Sequence, residues 1–320
     1  MKTVQKYFDT HEVSVDLQKL IFTLLWAGAD FYEYTLFRYD FHNFYADTVN
    51  KSGDRQLKID VAANGVFVDA LRESDVALIA SEELAEPIKG RSGGKYAVAF
   101  DPLDGSSVVD ADFAIGSIVG IYEGATLLGK KGNDQVASLA IIYGPQMLVY
   151  LTVGKGTIAC VYRPENYPDE IVEEKRNDQF FVFQEKVQVS PEAKYFAPGN
   201  LRAAHDGWYE KVLKDWISSG YTLRYSGGMV PDIGHIFTKG GGIFLYPGTE
   251  QKPEGKLRLL YECAPFAFLM EQASGVALDQ TGSRILEIPI EYPHQTTPVF
   301  LGSKVEVEKV MKTIGCFRKK

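Results

Sequence analysis

The sequence predicts a layered α/β protein, and three observations carry that prediction. The chain has 320 residues, which is long for one core and suits two domains or one large α/β unit. Its apolar fraction of 45% and charged fraction of 24% are typical of a globular protein and exclude a disordered, collagen-like or coiled-coil chain. Strand-like and helix-spaced apolar runs alternate along its second half.

The first half is predicted to contain two helices followed by a series of strands. Apolar residues recur at helical spacing over 16–37, with Ser14 or Asp16 as the cap, and a second helix is predicted over 58–71. The apolar stretch 136–153 is broken by a Gly-Pro pair, so it predicts two buried strands joined by a turn rather than a membrane span. The predicted strands cover 76–80, 96–100, 115–122, 137–143, 147–153 and 157–161.

The second half follows a segment that is predicted to be a solvated surface loop near a domain boundary. This segment, 163–186, is polar, contains proline and includes a run of charges at 173–176. The elements predicted beyond it are helices over 208–217, from Pro231, over 264–273 and over 305–313, and strands over 222–225, 243–246, 276–278 and 299–301.

Charge and cysteine content limit the possible partners and the compartment. The net charge of −8 argues against nucleic acid as a partner. Cys160, Cys263 and Cys316 are odd in number and far apart, which indicates a reducing environment without a disulfide framework. The first residues contain no apolar signal core, so a cytoplasmic location is expected. The aromatic-rich stretch 31–45 is interpreted as core or subunit contact.

Two short segments that follow predicted strands carry acidic residues. The first is Ser81-Glu82-Glu83, whose adjacent carboxylates repel each other unless a cation lies near them; a solvated turn is the alternative. The second runs from Asp101 to Ser107, where a proline turn brings Asp101 and Asp104 within reach of one point. Gly105-Ser106-Ser107 then offers backbone N–H groups to an anion, and the alternative is a capped helix start.

A third segment, Lys256 to Glu262, adds cations to these acids. On a strand, Lys256 and Arg258 would share one face, with Glu262 at its end, which suits a phosphorylated ligand beside a metal; a half-exposed edge strand is the alternative. The three segments offer oxygen ligands, and no cluster of His or Cys accompanies them in the sequence. An all-oxygen site favours Mg²⁺ or Mn²⁺ over Zn²⁺.

These segments resemble the sugar bisphosphatase family, the fructose-1,6- and sedoheptulose-1,7-bisphosphatases, over about Gly53 to Lys304. Within the family the chain is most similar to the sedoheptulose branch, through the stretches 134–137, 142–145, 196–203 and 224–232. The motifs shared with the whole family are Gly53-Asp54-Arg55-Gln56, Lys58-Ile59-Asp60-Val61, Ser81-Glu82-Glu83, Phe100 to Ser107, Gly241 to Pro247 and Gly255 to Cys263.

The resemblance implies an α-β-α-β-α sandwich and a reaction. Residues 1–185 would form a metal- and 1-phosphate-binding domain, and 186–320 a sugar- and distal-phosphate-binding domain. The implied reaction is Mg²⁺-dependent hydrolysis of the 1-phosphate of sedoheptulose 1,7-bisphosphate, using two or three Mg²⁺ ions for which Mn²⁺ can substitute. Fructose-1,6-bisphosphatase is the first alternative.

Two further alternatives come from other groups of proteins. An inositol-phosphate-type phosphatase is disfavoured because that family usually has a Trp-Asp pair where this chain has Leu260-Tyr261-Glu262. A catalytically silent sugar-phosphate-binding regulator would be expected to lose a ligand or the water-activating pair, and the sequence retains all of them.

The resemblance also implies a role for each matching position. Glu83 and Asp60 would activate water, with Asp54 a further catalytic acid near the metals, and Arg224 would reach a neighbouring subunit's site in a dimer or tetramer. The implied metal ligands are Glu82, Glu83, Asp101, the Leu103 carbonyl, Asp104 and Glu262. The implied substrate contacts are Asp104, Gly105, Ser106, Ser107, Asn200, Arg224, Tyr225, Met229, Tyr246, Lys256 and Arg258.

Overall fold

The computed structural model describes residues 1–37, 45–49, 55–164 and 177–318. The helices are α1 (Val4–Thr10), α2 (Val15–Phe37), α3 (Lys58–Arg72), α4 (Trp208–Ser218), α5 (Met229–Lys239), α6 (Ala264–Gln272) and α7 (Lys304–Arg318). The strands of the first half are β1 (Lys2–Thr3), β2 (Tyr45–Val49), β3 (Arg55–Leu57), β4 (Val76–Ser81), β5 (Ile88–Lys89), β6 (Tyr96–Asp104), β7 (Ile115–Glu123), β8 (Gln135–Tyr143), β9 (Met147–Thr152), β10 (Thr157–Tyr162) and β11 (Phe180–Val187). The remaining strands are β12 (Tyr195–Pro198), β13 (Thr222–Leu223), β14 (Ile243–Tyr246), β15 (Val276–Leu278) and β16 (Val299–Gly302).

Two sheets organise these strands. The nine-stranded sheet has the order β1-β11-β10-β9-β8-β7-β6-β4-β5, and the five-stranded sheet has the order β13-β12-β14-β16-β15. Both are mixed: β4 pairs with β6 in parallel, as β12 does with β14, whereas β6 to β11 form an antiparallel series. Strands buried on both faces read as continuous apolar runs, which is why these segments were recognisable in the sequence.

Five layers pack together through three hydrophobic cores. One face of the large sheet packs on α1, α2 and α3, through residues such as Val98 and Phe100 of β6. The opposite face, including Ala97, packs on α5, α6 and one face of the small sheet. The other face of the small sheet packs on α4 and α7, with Ile243 and Phe300 facing them. The layers therefore follow the order α-β-α-β-α, and the predicted fold class is confirmed.

The helix and strand predictions are largely confirmed, with ends shifted by a few residues. Ser14, rather than Asp16, accepts a hydrogen bond from the backbone N–H of Leu17 at the start of α2. The helix predicted from Pro231 begins two residues earlier, at Met229, because extended Gly228 is its N-cap.

The prediction of a surface loop over 163–186 is wrong for its last part. Residues 180–187 form β11, which pairs antiparallel with β10 inside the large sheet. Phe180 and Val182 point into the core while Phe183 is 47% exposed, so the strand alternates despite its polar composition. The charge run at 173–176 lies outside the described residues.

The aromatic stretch 31–45 contributes to the core where the structure describes its side chains. Phe31 is fully buried, with its ring centroid 5.1 Å from that of Tyr143. The Tyr32 hydroxyl donates to the carbonyl of Gly144 at 3.0 Å. In the part of the chain that the structure covers, the helices are too short or too polar to cross a bilayer.

Candidate active site

Parallel pairing of β4 and β6 brings two acidic segments to one sheet edge. Ser81 at the end of β4 is in register with Phe100, and the backbone N–H of Glu82 donates to the Phe100 carbonyl at 3.0 Å. Glu82 therefore lies beside Asp101, although 19 positions separate them in sequence. The apolar runs that precede both acids fix this proximity.

The Asp101 segment is an irregular strand end rather than a free loop. The register of β6 on β7 shifts between Asp101 and Asp104, and the backbone N–H of Leu103 donates to Oδ1 of Asp101 at 2.9 Å. Asp104 accepts a hydrogen bond at 2.6 Å from the backbone N–H of Val230, the second residue of α5. Asp104 thereby joins the large sheet to the helix layer above it.

The third acidic segment reaches the same place by a turn, and the prediction of a strand over Lys256 to Glu262 is wrong. Arg258 makes a single bridge to Thr296, after which residues 259–263 form a π-helix. The Arg258 carbonyl accepts from the backbone N–H of Cys263 at 2.9 Å, and the Glu262 carboxylate accepts from the backbone N–H of Arg258. This closed turn, and not the alternation of side chains along a strand, places Glu262 at the cavity.

The structure brings three carboxylates together. Ligand oxygens of Glu82, Asp101 and Glu262 all lie within 4.8 Å of one another. Asp101 and Glu262 are each only 6% exposed. Arg258 offsets part of the charge, with its Nε 3.5 Å from Oε1 of Glu82.

Burial and mutual repulsion make these acids costly to ionise without a cation. Burial raises the pKa of Glu82 to about 7, a net rise that Arg258 opposes and to which the charges of Glu83 and Asp104 contribute. Burial and the neighbouring carboxylates hold the pKa of Asp101 and of Glu262 well above the usual range. Burial also raises the pKa of Asp104 to about 6. A buried like-charge cluster of this kind is relieved by a counter-ion.

The donor set fits a hard divalent cation. The three clustered groups are all carboxylates, and the backbone carbonyl of Leu103 belongs to the segment that lines the same cavity. Mg²⁺ and Mn²⁺ prefer oxygen ligands, whereas structural and catalytic zinc sites usually include His or Cys. Glu82, Asp101 and Glu262 are therefore the residues that would hold such an ion.

A second acidic pair, Asp60 and Glu83, lines the same cavity. Asp60, in the first turn of α3, is buried and accepts a hydrogen bond from the backbone N–H of Leu57 at 3.1 Å. Burial, with a further contribution from the charge of Glu83, raises the pKa of Asp60 to about 7, while a hydrogen bond with Ser106 opposes the rise. An acid whose pKa lies near neutrality suits proton transfer.

Most of the predicted site residues line one cavity of 690 Å³. Two described residues do not: Asn200 lines an adjoining cavity, and exposed Arg224 donates from Nη1 to the carbonyl of Leu223 at 2.8 Å. Asp54 lies outside the described residues. The predicted residues that line the cavity are Asp60, Glu82, Glu83, Asp101, Leu103, Asp104, Gly105, Ser106, Ser107, Tyr225, Met229, Tyr246, Lys256, Arg258 and Glu262.

The sequence reasoning gave no role to Asp232, which supports the cavity wall. Asp232 is buried in α5 and accepts from the backbone N–H of Ser226 at 2.8 Å, which fixes the loop that carries Tyr225. Burial raises its pKa to about 7. The sequence feature that could have pointed to Asp232 is the presence of a carboxylate among the apolar residues that follow Pro231.

His294 belongs to none of the sequence motifs, yet it contacts the acidic loop. Its Nε2 lies 2.9 Å from the carbonyl oxygen of Leu84, just after Glu82 and Glu83. No sequence pattern links two residues so far apart. Only the fold makes this connection visible.

Comparison with known proteins supports this description. Residues 16–167 match the family model for the fructose-1-6-bisphosphatase N-terminal domain, and residues 189–315 match the model for its C-terminal domain. The chain is 40% identical over 273 residues to a fructose-1,6-bisphosphatase class 1 of Geobacter sulfurreducens, covering 84% of this chain and 83% of the relative. It is 36% identical to a protein of the same name from Campylobacter concisus, over 84% of this chain and 88% of that one.

Solved structures resemble the whole chain. A provisionally named sedoheptulose-1,7-bisphosphatase from Toxoplasma gondii superposes with a TM-score of 0.88 at 29% identity, covering 98% of each chain. The holo form of Leishmania major fructose-1,6-bisphosphatase superposes with a TM-score of 0.85 at 30% identity, covering 99% of each chain.

The fold, the acidic cavity and these relatives define a phosphoric monoester hydrolase that acts on sugar bisphosphates. The chain belongs to the sugar bisphosphatase family, whose two domain models carry the name fructose-1,6-bisphosphatase. Enzymes of this family are metal-dependent.

Proposed function

We propose that the chain hydrolyses the 1-phosphate of sedoheptulose 1,7-bisphosphate, giving sedoheptulose 7-phosphate and inorganic phosphate, with Mg²⁺ as its cofactor. The observation that carries the hydrolytic part is the meeting of Glu82, Asp101 and Glu262 within 4.8 Å at the cavity that Gly105, Ser106 and Arg258 also line. Two or three Mg²⁺ ions bound there would offset the carboxylate charge and stabilise negative charge on the phosphoryl group and the leaving oxygen.

The chain's own residues account for orientation and proton movement. Backbone N–H groups of Gly105, Ser106 and Ser107 face the 1-phosphate, with Arg258 beside it. Asp60 and Glu83 take the proton of the attacking water. The water oxygen bonds to phosphorus, the bond from phosphorus to the C1 oxygen breaks, and the C1 oxygen takes up a proton from solvent, which balances the proton that the two acids received. Lys256, Tyr225, Tyr246 and Met229 hold the sugar and its distal phosphate.

The sedoheptulose preference rests on the motifs shared with that branch and on the likeness to the Toxoplasma gondii structure. Fructose 1,6-bisphosphate is the second candidate, favoured by the names of the 36–41% identical relatives. The two substrates differ by one hydroxylated carbon, and a difference of one methylene is typically worth about 10- to 200-fold in kcat/KM.

Phosphate release from the two bisphosphates and from inositol 1-phosphate, with and without Mg²⁺, tests this proposal. We expect turnover only with Mg²⁺, and a kcat/KM about tenfold or more higher for the seven-carbon substrate. A higher value for fructose 1,6-bisphosphate would establish the second candidate. Turnover of inositol 1-phosphate alone would establish the inositol-phosphate-type alternative, and no turnover of any of the three would leave a silent binding protein.

The assembly and the compartment remain part of the proposal. We infer a homo-dimer or homo-tetramer, because Arg224 is exposed and does not belong to the lining of the acidic cavity, as expected for a residue that serves a neighbouring copy. We also infer a cytoplasmic location, for which the described cysteines, Cys160 and Cys263, both buried and reduced, are suited.

A further inference from the structure

The segment that precedes β16, residues 291–297, contacts two of the three acidic segments of the candidate active site. We call this segment the strap. Its backbone lies against the stretch that leads into the Glu262 turn, and its histidine reaches the loop that carries Glu82 and Glu83. The strap contributes none of the residues that the structure shows lining the acidic cavity. Any effect of the strap on the site is therefore exerted through other residues.

Main-chain hydrogen bonds fix the strap to the Glu262 turn. The backbone N–H of Leu259 donates to the Gln295 carbonyl at 2.7 Å, and the backbone N–H of Thr297 donates to the Leu257 carbonyl at 3.0 Å. These two bonds lie on either side of the single bridge that precedes the π-helix. The strap and the turn that carries Glu262 therefore form one hydrogen-bonded unit.

The strap is also closed on itself around His294. The backbone N–H of Gln295 donates to the Tyr292 carbonyl at 3.2 Å. The side-chain Oε1 of Gln295 accepts from the backbone N–H of Glu291 at 2.7 Å. His294 lies inside the turn that these bonds close, so the position of its backbone is fixed.

The imidazole of His294 contacts both acidic segments. Its Nε2 lies 2.9 Å from the carbonyl oxygen of Leu84, and because a carbonyl only accepts, Nε2 carries the proton and donates it. The centroid of the His294 ring lies 5.5 Å from that of Tyr261, at an angle of 59° between the rings. Tyr261 is 1% exposed. One side chain therefore contacts the residue after Glu83 and the residue before Glu262.

The hydrogen bond to Leu84 joins the acidic loop to a distant part of the chain. The other main-chain bonds of this loop are to the large sheet and to itself: the Glu82 N–H donates to the Phe100 carbonyl at 3.0 Å, and the Leu84 N–H donates to the Ser81 carbonyl at 3.2 Å. His294 is 210 positions from Leu84 in sequence and belongs to the unit that carries the Glu262 turn. The bond therefore links the loop of Glu82 directly to that unit.

We propose that His294 is a positioning residue of the metal site, whose hydrogen bond to the Leu84 carbonyl holds Glu82 and Glu262 close enough to bind one divalent cation. The inference rests on the proposed function, since it takes Mg²⁺ or Mn²⁺ as the ion. Without this bond the like-charged carboxylates separate more easily, and the ion must draw them together at a cost in binding free energy. His294 belongs to none of the site positions that the family resemblance implies.

The test measures the binding of Mn²⁺ without substrate, from the electron paramagnetic resonance signal of the free ion. Phenylalanine in His294→Phe keeps a ring beside Tyr261 but has no donor, whereas the amide of His294→Gln can donate from near the place of Nε2. The control is Tyr292→Ala, because Tyr292 lies on the same strap and is 52% exposed. We expect His294→Phe to weaken Mn²⁺ binding about 10- to 100-fold, and the other two variants to stay within about threefold of wild type.

Phosphate release provides a second measurement. In His294→Phe the Mg²⁺ concentration for half-maximal activity should rise by about the same 10- to 100-fold, while KM for the bisphosphate at saturating Mg²⁺ should change less than about threefold. A site damaged more widely would instead lose kcat at every Mg²⁺ concentration, and that result would contradict the inference.

The remaining outcomes are separated by folding and by the wild type. Thermal melts in EDTA establish whether each variant folds, and His294→Ala replaces His294→Phe if the larger side chain prevents folding. Failure of both to fold would assign His294 to stability alone and overturn the inference. Wild-type Mn²⁺ affinity in the variant without a donor, or an equal loss in His294→Gln, would also overturn it. If the wild type itself binds no Mn²⁺, the proposed metal site fails before His294 is considered.

Discussion

Replacing Asp60 by asparagine is expected to lower kcat about 10²- to 10⁴-fold, the range for loss of a general base. Asp60 is buried at the cavity, and burial with the nearby Glu83 charge raises its pKa to about 7. Asparagine keeps the size of the side chain, and its amide oxygen can still accept from the Leu57 N–H. The fold should therefore survive while proton transfer is lost. The same loss is expected for Glu83→Gln.

Phosphate release by the purified variants checks this expectation, with Asp69→Asn as the matched control. Asp69 lies on the same helix, α3, and its side chain is 79% exposed. The control should retain wild-type turnover. Near-normal kcat in both Asp60→Asn and Glu83→Gln would show that neither residue takes the proton.

Replacing Glu262 by glutamine should change stability in opposite directions with and without metal. The raised pKa of Glu262 means that its proton is bound more tightly in the folded state than in the unfolded state. Without metal, the fold therefore loses stability as pH rises from the unfolded pKa towards the folded one, and at neutral pH the carboxylates repel each other. Glutamine cannot ionise, so the metal-free variant should melt at a higher temperature than the metal-free wild type.

Mg²⁺ should stabilise the wild type but not this variant. An ion at 100 times its Kd stabilises the folded state by about 2.7 kcal/mol, which raises Tm by several degrees. Thermal melts in EDTA and in Mg²⁺ measure both effects, and Glu308→Gln, an exposed change on α7, is the matched control. An equal Mg²⁺-dependent rise in Tm for Glu262→Gln and wild type would exclude Glu262 as a ligand.

The part of the site that follows from the sequence is the part that depends on strand ends. Apolar runs ending in Glu82 and in Asp101 predict buried strands that terminate in acids, and parallel pairing then brings the acids together. The residue pattern predicts a layered α/β protein, whereas the order of the five layers was implied by the family resemblance. In the structure, alternating residues such as Ile243 and Phe244 serve different cores.

The features that could not be predicted from the sequence depend on hydrogen bonds and strand pairing that only the fold brings about. The buried run Leu259 to Tyr261 is compatible with a strand or with a turn. In the structure it is a turn, which is closed by the hydrogen bond from the Arg258 N–H to the Glu262 carboxylate. Strand β11 could not be predicted because its polar composition is typical of a loop. The alternation of buried and exposed side chains along it is seen only in the structure, where it pairs with β10.

The central claim is that acids from three distant segments bind divalent cations at the phosphoryl site. The most direct test is anomalous diffraction from crystals grown with Mn²⁺ in place of Mg²⁺. The account predicts an anomalous peak within coordination distance of carboxylate oxygens of Glu82, Asp101 and Glu262, which the fold holds within 4.8 Å of one another. Fully bound Mn²⁺ in solution with no anomalous peak at these three residues would contradict it.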